Sequence, residues 1–300
     1  MKRYMIIILG IFLLLGISTV AMAAPTIDGD LSDWGLSKLA TNSWKFNDTW
    51  LPDPATSTIA NAVDFIIEDN HDPRWGAPDG VHIRGRTSSY MPYLEPKVQH
   101  ADGNWYAEPV GGEYFDIEAL YLYQDATDIY LAVVTSGDPS QGGGLRPGDL
   151  ALNLDNDLST GEFGYEYGVF ISSLGHYPQG TILYHPHWEG TGAIIPPNTD
   201  IIVPPDFADT AVVGYADISY SNSWMTTIDN NYEPLPNWVI EMKIPKSDVG
   251  VMGNINMGNL RYADNCLNDH IFIPEFPTFA LLIGMIFGLA GTVYFIKSKK

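Results

Sequence analysis

Gly and Pro interrupt this 300-residue chain every few positions, 29 and 21 of them, and apolar residues almost nowhere recur at helical spacing. Pro removes a backbone donor and Gly costs conformational entropy, so long helices are disfavoured and short strands joined by turns are expected. The clearest strand is 114–123, where Phe115, Ile117, Ala119, Tyr121 and Tyr123 alternate with Asp116, Glu118, Leu120 and Leu122. Residues 124–128 are turn formers and 129–135 reads as the returning strand, which predicts a hairpin. Further strands are expected over 62–67, 81–86, 149–154, 165–172, 181–185, 210–220, 238–244 and 268–273. With no repeat and no linker between halves, they predict one all-β domain over residues 24–273, an antiparallel β-sandwich of jelly-roll type.

Two apolar runs bracket this region. Met1-Lys2-Arg3 precedes an apolar run from Met5 to Val20 and then Ala21-Met22-Ala23. A basic start, an apolar stretch and an Ala-x-Ala site read as a signal peptide over 1–23, cleaved after Ala23; an uncleaved N-terminal anchor is the alternative. At the other end, Phe276 to Ile296 is 21 residues without a charge. At about 1.5 Å per residue it reaches roughly 31 Å, enough to cross a hydrocarbon core. Lys297, Lys299 and Lys300 follow, and cations beside a span stay on the cytoplasmic side. One C-terminal transmembrane helix over 276–296 is therefore expected, with residues 24–275 outside the cell and the C-terminus inside. Gly284 and Gly288 form a GxxxG pair that can bring two spans together.

Five of the 15 Lys and Arg lie at the extreme ends, while all 36 Asp and Glu lie between them. Ten cations against 36 acids leave that segment at a net charge of −26. Such a surface repels nucleic acid and attracts cations. The abundance of apolar and aromatic residues excludes disorder as the reason for the acidity. The single cysteine, Cys266, cannot close an internal disulfide; it is either a buried apolar residue or an intermolecular partner. Asn47-Asp48-Thr49 is an N-glycosylation sequon on an exported segment, so Asn47 is a candidate glycan acceptor.

Pro274-Glu275-Phe276, then the span, then the basic tail resembles the PEF-CTERM sorting signal of archaeal surface proteins. The resemblance covers residues 274–300. It implies recognition by an archaeosortase, a membrane transpeptidase that removes the tail and leaves a mature end near Pro274, joined to a lipid or other surface group. A second resemblance sits near the mature N-terminus. Thr26-Ile27-Asp28-Gly29-Asp30-Leu31-Ser32-Asp33-Trp34 resembles the opening of family 9 carbohydrate-binding modules and related DOMON-like sandwiches. Asp128-Ile129-Tyr130-Leu131-Ala132-Val133 is similar to one of their strands. The likeness covers about a third of the ectodomain and implies a DOMON-like sandwich. Glu68-Asp69, residues 115–121, 148–150, 165–169 and 266–269 resemble exported surface proteins with PEP-CTERM or PEF-CTERM tails. Where such proteins often read Cys-Gly-Asn-Asp, this chain reads Cys266-Leu267-Asn268-Asp269, which alters the local turn.

Calcium is the sharpest chemical expectation. Asp155, Asp157, Ser159 and Glu166 put oxygens at positions 1, 3, 5 and 12 of a loop, close to the spacing of an EF-hand. Gly161 at position 7 rather than 6, and β-like rather than helical flanks, depart from that pattern. The alternative is a solvated Asp/Asn turn between two strands. A second acidic set is Glu68, Asp69 and Asp72 with Glu118; Asp28 and Asp30 form a weaker one. Sugar binding is the other expectation, because exposed aromatics stack on the apolar faces of sugar rings. Of eight tryptophans, Trp75 and Trp105 lie in loop-like sequence and are the platform candidates. Trp34 reads as structural and Trp238 as core. His185-Pro186-His187 could present two imidazoles to a metal, but an edge or surface loop is the plainer reading.

No GxSxG, HExxH, P-loop or Rossmann glycine pattern occurs, so no enzyme is expected, although a carboxylate pair suited to glycoside cleavage cannot be sorted from 36 acids by spacing. The sequence therefore reads as an exported, membrane-anchored, non-catalytic binding protein with carbohydrate as ligand and calcium as structural partner. The alternative is a structural component of the envelope or extracellular matrix with no soluble ligand. A third reading is a haem or redox DOMON-type module, with Met91 or His100 as axial ligands.

Overall fold

The computed structural model describes residues 23–36, 51–67, 117–138, 147–157, 159–171, 177–188, 209–228, 234–263 and 270–272, together with short strands between 71 and 106 and at 201–202. In chain order the strands are β1 (Asp64–Ile67), β2 (His71–Asp72), β3 (Ala77–Pro78), β4 (Ile83–Arg86), β5 (Ser89–Pro92), β6 (Val98–Gln99) and β7 (Trp105–Tyr106). They continue with β8 (Ile117–Gln124), β9 (Asp128–Thr135), β10 (Leu150–Leu152), β11 (Tyr167–Val169), β12 (Thr181–Tyr184) and β13 (His187–Trp188). The last are β14 (Ile201–Ile202), β15 (Ala211–Tyr215), β16 (Asp217–Ile228), β17 (Pro234–Pro245), β18 (Leu260–Ala263) and β19 (His270–Phe272). Among the described residues the helical pieces are two 3-10 turns, Ala60–Ala62 and Met257–Asn259. No helix there is long and apolar enough to cross a membrane; the expected span at 276–296, and the signal peptide up to residue 22, lie outside the described residues.

Thirteen of these strands form two antiparallel sheets, and the rest pair as two-stranded ribbons, β2-β3, β6-β7 and β13-β14. The seven-stranded sheet runs β16-β17-β9-β8-β1-β4-β5, and the six-stranded sheet runs β15-β12-β11-β10-β18-β19. Their facing sides share one apolar layer. Leu120, Leu122, Leu131, Val133, Ile240 and Met242 from the first meet Leu150, Leu152, Val169, Ile182, Leu260 and Tyr262 from the second.

The β8–β9 hairpin is present as expected, with Tyr121 opposite Ala132 and Leu122 opposite Leu131. Its turn is an Asx turn, in which Asp125 Oδ1 accepts from the backbone N–H groups of Thr127 (2.8 Å) and Asp128 (2.8 Å). The expected alternation is corrected at its start. A register shift between Ile117 and Ala119 leaves Glu118 as the extra residue of a bulge. Ile117 thereby joins the shared layer, whereas Ala119, Tyr121 and Tyr123 face the other way. That other face is buried too. Leu31, Trp34, Leu36, Ile59 and Val63 from the N-terminal segment cover Phe65, Tyr121, Ala132 and Val134. The central strands are thus buried on both faces, where the expected alternation implied one.

A second correction concerns residues 210–220, expected as one strand. They form two, β15 in one sheet and β16 in the other. The break falls at Ala216, whose N–H donates to the Gly180 carbonyl (2.7 Å) while Gly180 N–H donates to Phe170 O (2.8 Å). Gly180 has φ +85°, and a Cβ there would lie 2.4 Å from Ala216 O. The chain changes sheets at a corner that needs glycine.

Candidate binding groove

An open groove of about 480 Å³ lies at one end of the six-stranded sheet. One side is the β10–β11 connection, with Asp155, Asn156 and Glu166. The Tyr167 and Tyr184 pair and the loop 249–256 also line it. Tyr167 and Tyr184 are cross-strand neighbours on β11 and β12. Their rings lie 5.1 Å apart at 52° and are half-buried. Asn259 holds the groove's base. Its side-chain N–H₂ donates to Asn153 O (2.5 Å) and to Asn156 Oδ1 (2.9 Å). Asn156 has φ +58°, a conformation that Asn tolerates better than most residues.

Glu166 is the most unusual group in this groove. It is 5% exposed. Its Oε1 accepts from the backbone N–H groups of Leu154 and of Asp155 (3.0 Å for Asp155), while its buried Oε2 has no hydrogen-bond partner. Burial first, and the Asp155 charge in addition, push its carboxyl up, against the pull of its own backbone N–H and those of Leu154 and Asp155. Asp155 is exposed beside it. One of its oxygens accepts from Asp157 N–H (2.8 Å) and the other from the Thr160 hydroxyl (2.8 Å). Asp157 Oδ1 accepts from the N–H (2.9 Å) and hydroxyl (2.6 Å) of Ser159, which holds its carboxyl below the usual range.

The sequence-expected sites fare unequally. Asp155 and Glu166 come together at the groove, whereas Asp157 and Ser159 bond to each other and are not among its lining residues. Glu118, from the second acidic set, is buried and accepts from Asn237 Nδ2 (2.5 Å). Asp72 lies in β2 opposite Ala77, Trp105 in β7 opposite Gln99, and Met91 in β5 opposite Arg84. Glu68, Asp69, Trp75, Asn47, His100, Cys266 and Pro274-Glu275-Phe276 lie outside the described residues. His185 and His187 both lie near enough to Asp209 to lower its carboxyl, His187 first and through a hydrogen bond. The His185 ring stacks on Tyr184 at 3.9 Å. His187 bridges Glu162 (3.1 Å) and Asp209 (3.2 Å). Trp34 is fully buried, as expected of a structural residue, but Trp238 is half-buried rather than core.

Sequence reasoning missed Glu241. This β17 residue is fully buried and holds the opening motif in place. The Trp34 indole N–H donates to Oε1 (2.7 Å), and the backbone N–H groups of Gly29 (2.5 Å) and Asp28 (3.1 Å) donate to Oε2. Burial pushes its carboxyl up to about 7, against the pull of those donors. The available signal was a lone acid in the apolar strand Val239-Ile240-Glu241-Met242, a position that requires a partner when buried. The chain matches none of the family models, curated proteins or solved structures with which it was compared.

Proposed function

We propose that this chain is an exported, surface-held, non-catalytic binding protein of jelly-roll, DOMON-like architecture, and that its groove takes a carbohydrate. The observation that carries this reading is the groove's mixed lining. Two half-buried tyrosine rings stand beside the carboxylates of Asp155 and Glu166 and the amides of Asn156, Asn254 and Asn256. A sugar presents apolar C–H faces to rings and hydroxyls to just such acceptors and donors, and the open shape suits a chain end or a short stretch of polysaccharide. The test is titration of the full chain in detergent against a polysaccharide panel. Binding to one glycan class, weakened at least tenfold by Tyr184→Ala with an unchanged circular dichroism spectrum, is the expected result. Absence of binding to every member would overturn it.

A structural role in the envelope is the second reading, and one observation favours it. β15 forms one edge of the six-stranded sheet with Val212, Val213 and Tyr215 exposed by 46%, 37% and 61%. An apolar strand edge can pair with a strand of another chain. That role predicts assembly in sedimentation and no saccharide binding.

A further inference from the structure

Two carboxylates, Asp155 and Glu166, line the groove without a basic neighbour among its described lining residues. Glu166 is 5% exposed with Oε2 unpartnered, and an unpaired buried carboxylate oxygen is costly unless a cation or donor reaches it. Asp155 is fixed next to it, because the Asp155 N–H donates to Glu166 Oε1 (3.0 Å). The polar side chains of the lining are carboxylates, amides and phenols, without imidazole or thiolate.

We propose that the Glu166 end of the groove binds calcium directly through Glu166 Oε2 and the Asp155 carboxylate, and that Asp157 and Ser159 take no part. Each Asp155 oxygen accepts one hydrogen bond from its own loop and keeps a lone pair for a metal. Oxygen donors without nitrogen or sulfur select a hard cation. Calcium accepts six to eight ligands in irregular geometry, so an open groove that leaves several positions to water, and then to sugar hydroxyls, suits it better than magnesium. The EF-hand spacing of the loop is therefore misleading about the ligand set. Asp157 and Ser159 hydrogen-bond to each other and are not among the groove's lining residues. What places a cation is the buried oxygen at the loop's far end. The coupling of cation to sugar rests on the carbohydrate reading above; the cation site itself does not.

The experiment is calorimetric titration of CaCl₂ into the full chain in detergent, after chelator treatment, for wild type, Glu166→Gln and Asp157→Asn. One site with a Kd of about 0.1–1 mM, the range of extracellular modules, is expected in wild type. Glu166→Gln should weaken it at least tenfold and Asp157→Asn by less than twofold. Asp155→Asn, an exposed substitution, should also weaken it and serves if Glu166→Gln does not fold. No site in wild type overturns the proposal, as does loss of the site in Asp157→Asn with retention in Asp155→Asn. The glycan titration is then repeated with calcium and with chelator. Calcium binding without glycan binding leaves this proposal standing and removes the carbohydrate reading. Glycan binding that ignores chelator, in a protein without a calcium site, does the reverse.

Discussion

Glu241 holds the N-terminal segment by accepting three hydrogen bonds, and its ionisation carries a cost. The folded carboxyl titrates at about 7, against 4.5 when solvated. An acid whose value is raised by folding contributes stability that is complete below about 4.5 and is lost as pH rises through about 7. A shift of this size corresponds to about 3 kcal/mol. Urea denaturation from pH 4.5 to 7.5 should therefore show wild-type stability falling relative to Glu241→Gln, which has no charge to titrate. Parallel profiles for the two would refute this account. The same residue shows what a linear reading can and cannot see. Trp34 was legible as structural from its motif. Its partner lies 207 positions away, and no local pattern connects them.

Among the elements, the β8–β9 hairpin was readable because its turn chemistry and its apolar run are local. The split of 210–220 into β15 and β16 was not, because nothing in Ala211 to Tyr220 demands a break. The demand comes from Gly180, which meets Ala216 across the corner. Gly180→Ala should cost more than about 2 kcal/mol, since it adds both a strained φ and a clash with a carbonyl oxygen. Gly253 has nothing within 4 Å of its would-be Cβ, so Gly253→Ala should change stability by less than about 0.5 kcal/mol. Denaturation midpoints of the two variants measure the contrast; equal effects would show that the corner is not constrained as described. The groove belongs to this scale as well. Asp155 and Glu166 were legible as a possible site from their spacing, but the Tyr167–Tyr184 wall depends on the pairing of β11 with β12.

For the whole molecule, the two sheets and the N-terminal cover make three layers. Ala24 and Ile27 pack against the inner face of that cover. Intact-mass analysis of protein recovered from a native-type host should give an N-terminus at Ala24 and, if the sorting signal acts as its resemblance implies, a C-terminus near Pro274. A mass that retains residues 1–23 would identify an N-terminal anchor instead.

The sequence by itself determined that the region between the two apolar ends is built of strands, because Gly and Pro recur too often there for long helices. It also determined the β8–β9 hairpin, because its turn formers and returning strand are adjacent in the chain. Those are local properties of backbone and side chain. Tertiary structure decided which strands share a sheet, where the chain crosses between sheets, and which acids acquire partners. Pairing and burial join residues tens to hundreds of positions apart. Glu241 is therefore a buried anchor, Asp157 is held by its own loop, and Glu166 keeps an oxygen that no hydrogen-bond donor among the described residues reaches. In sequence all three are simply acids among 36.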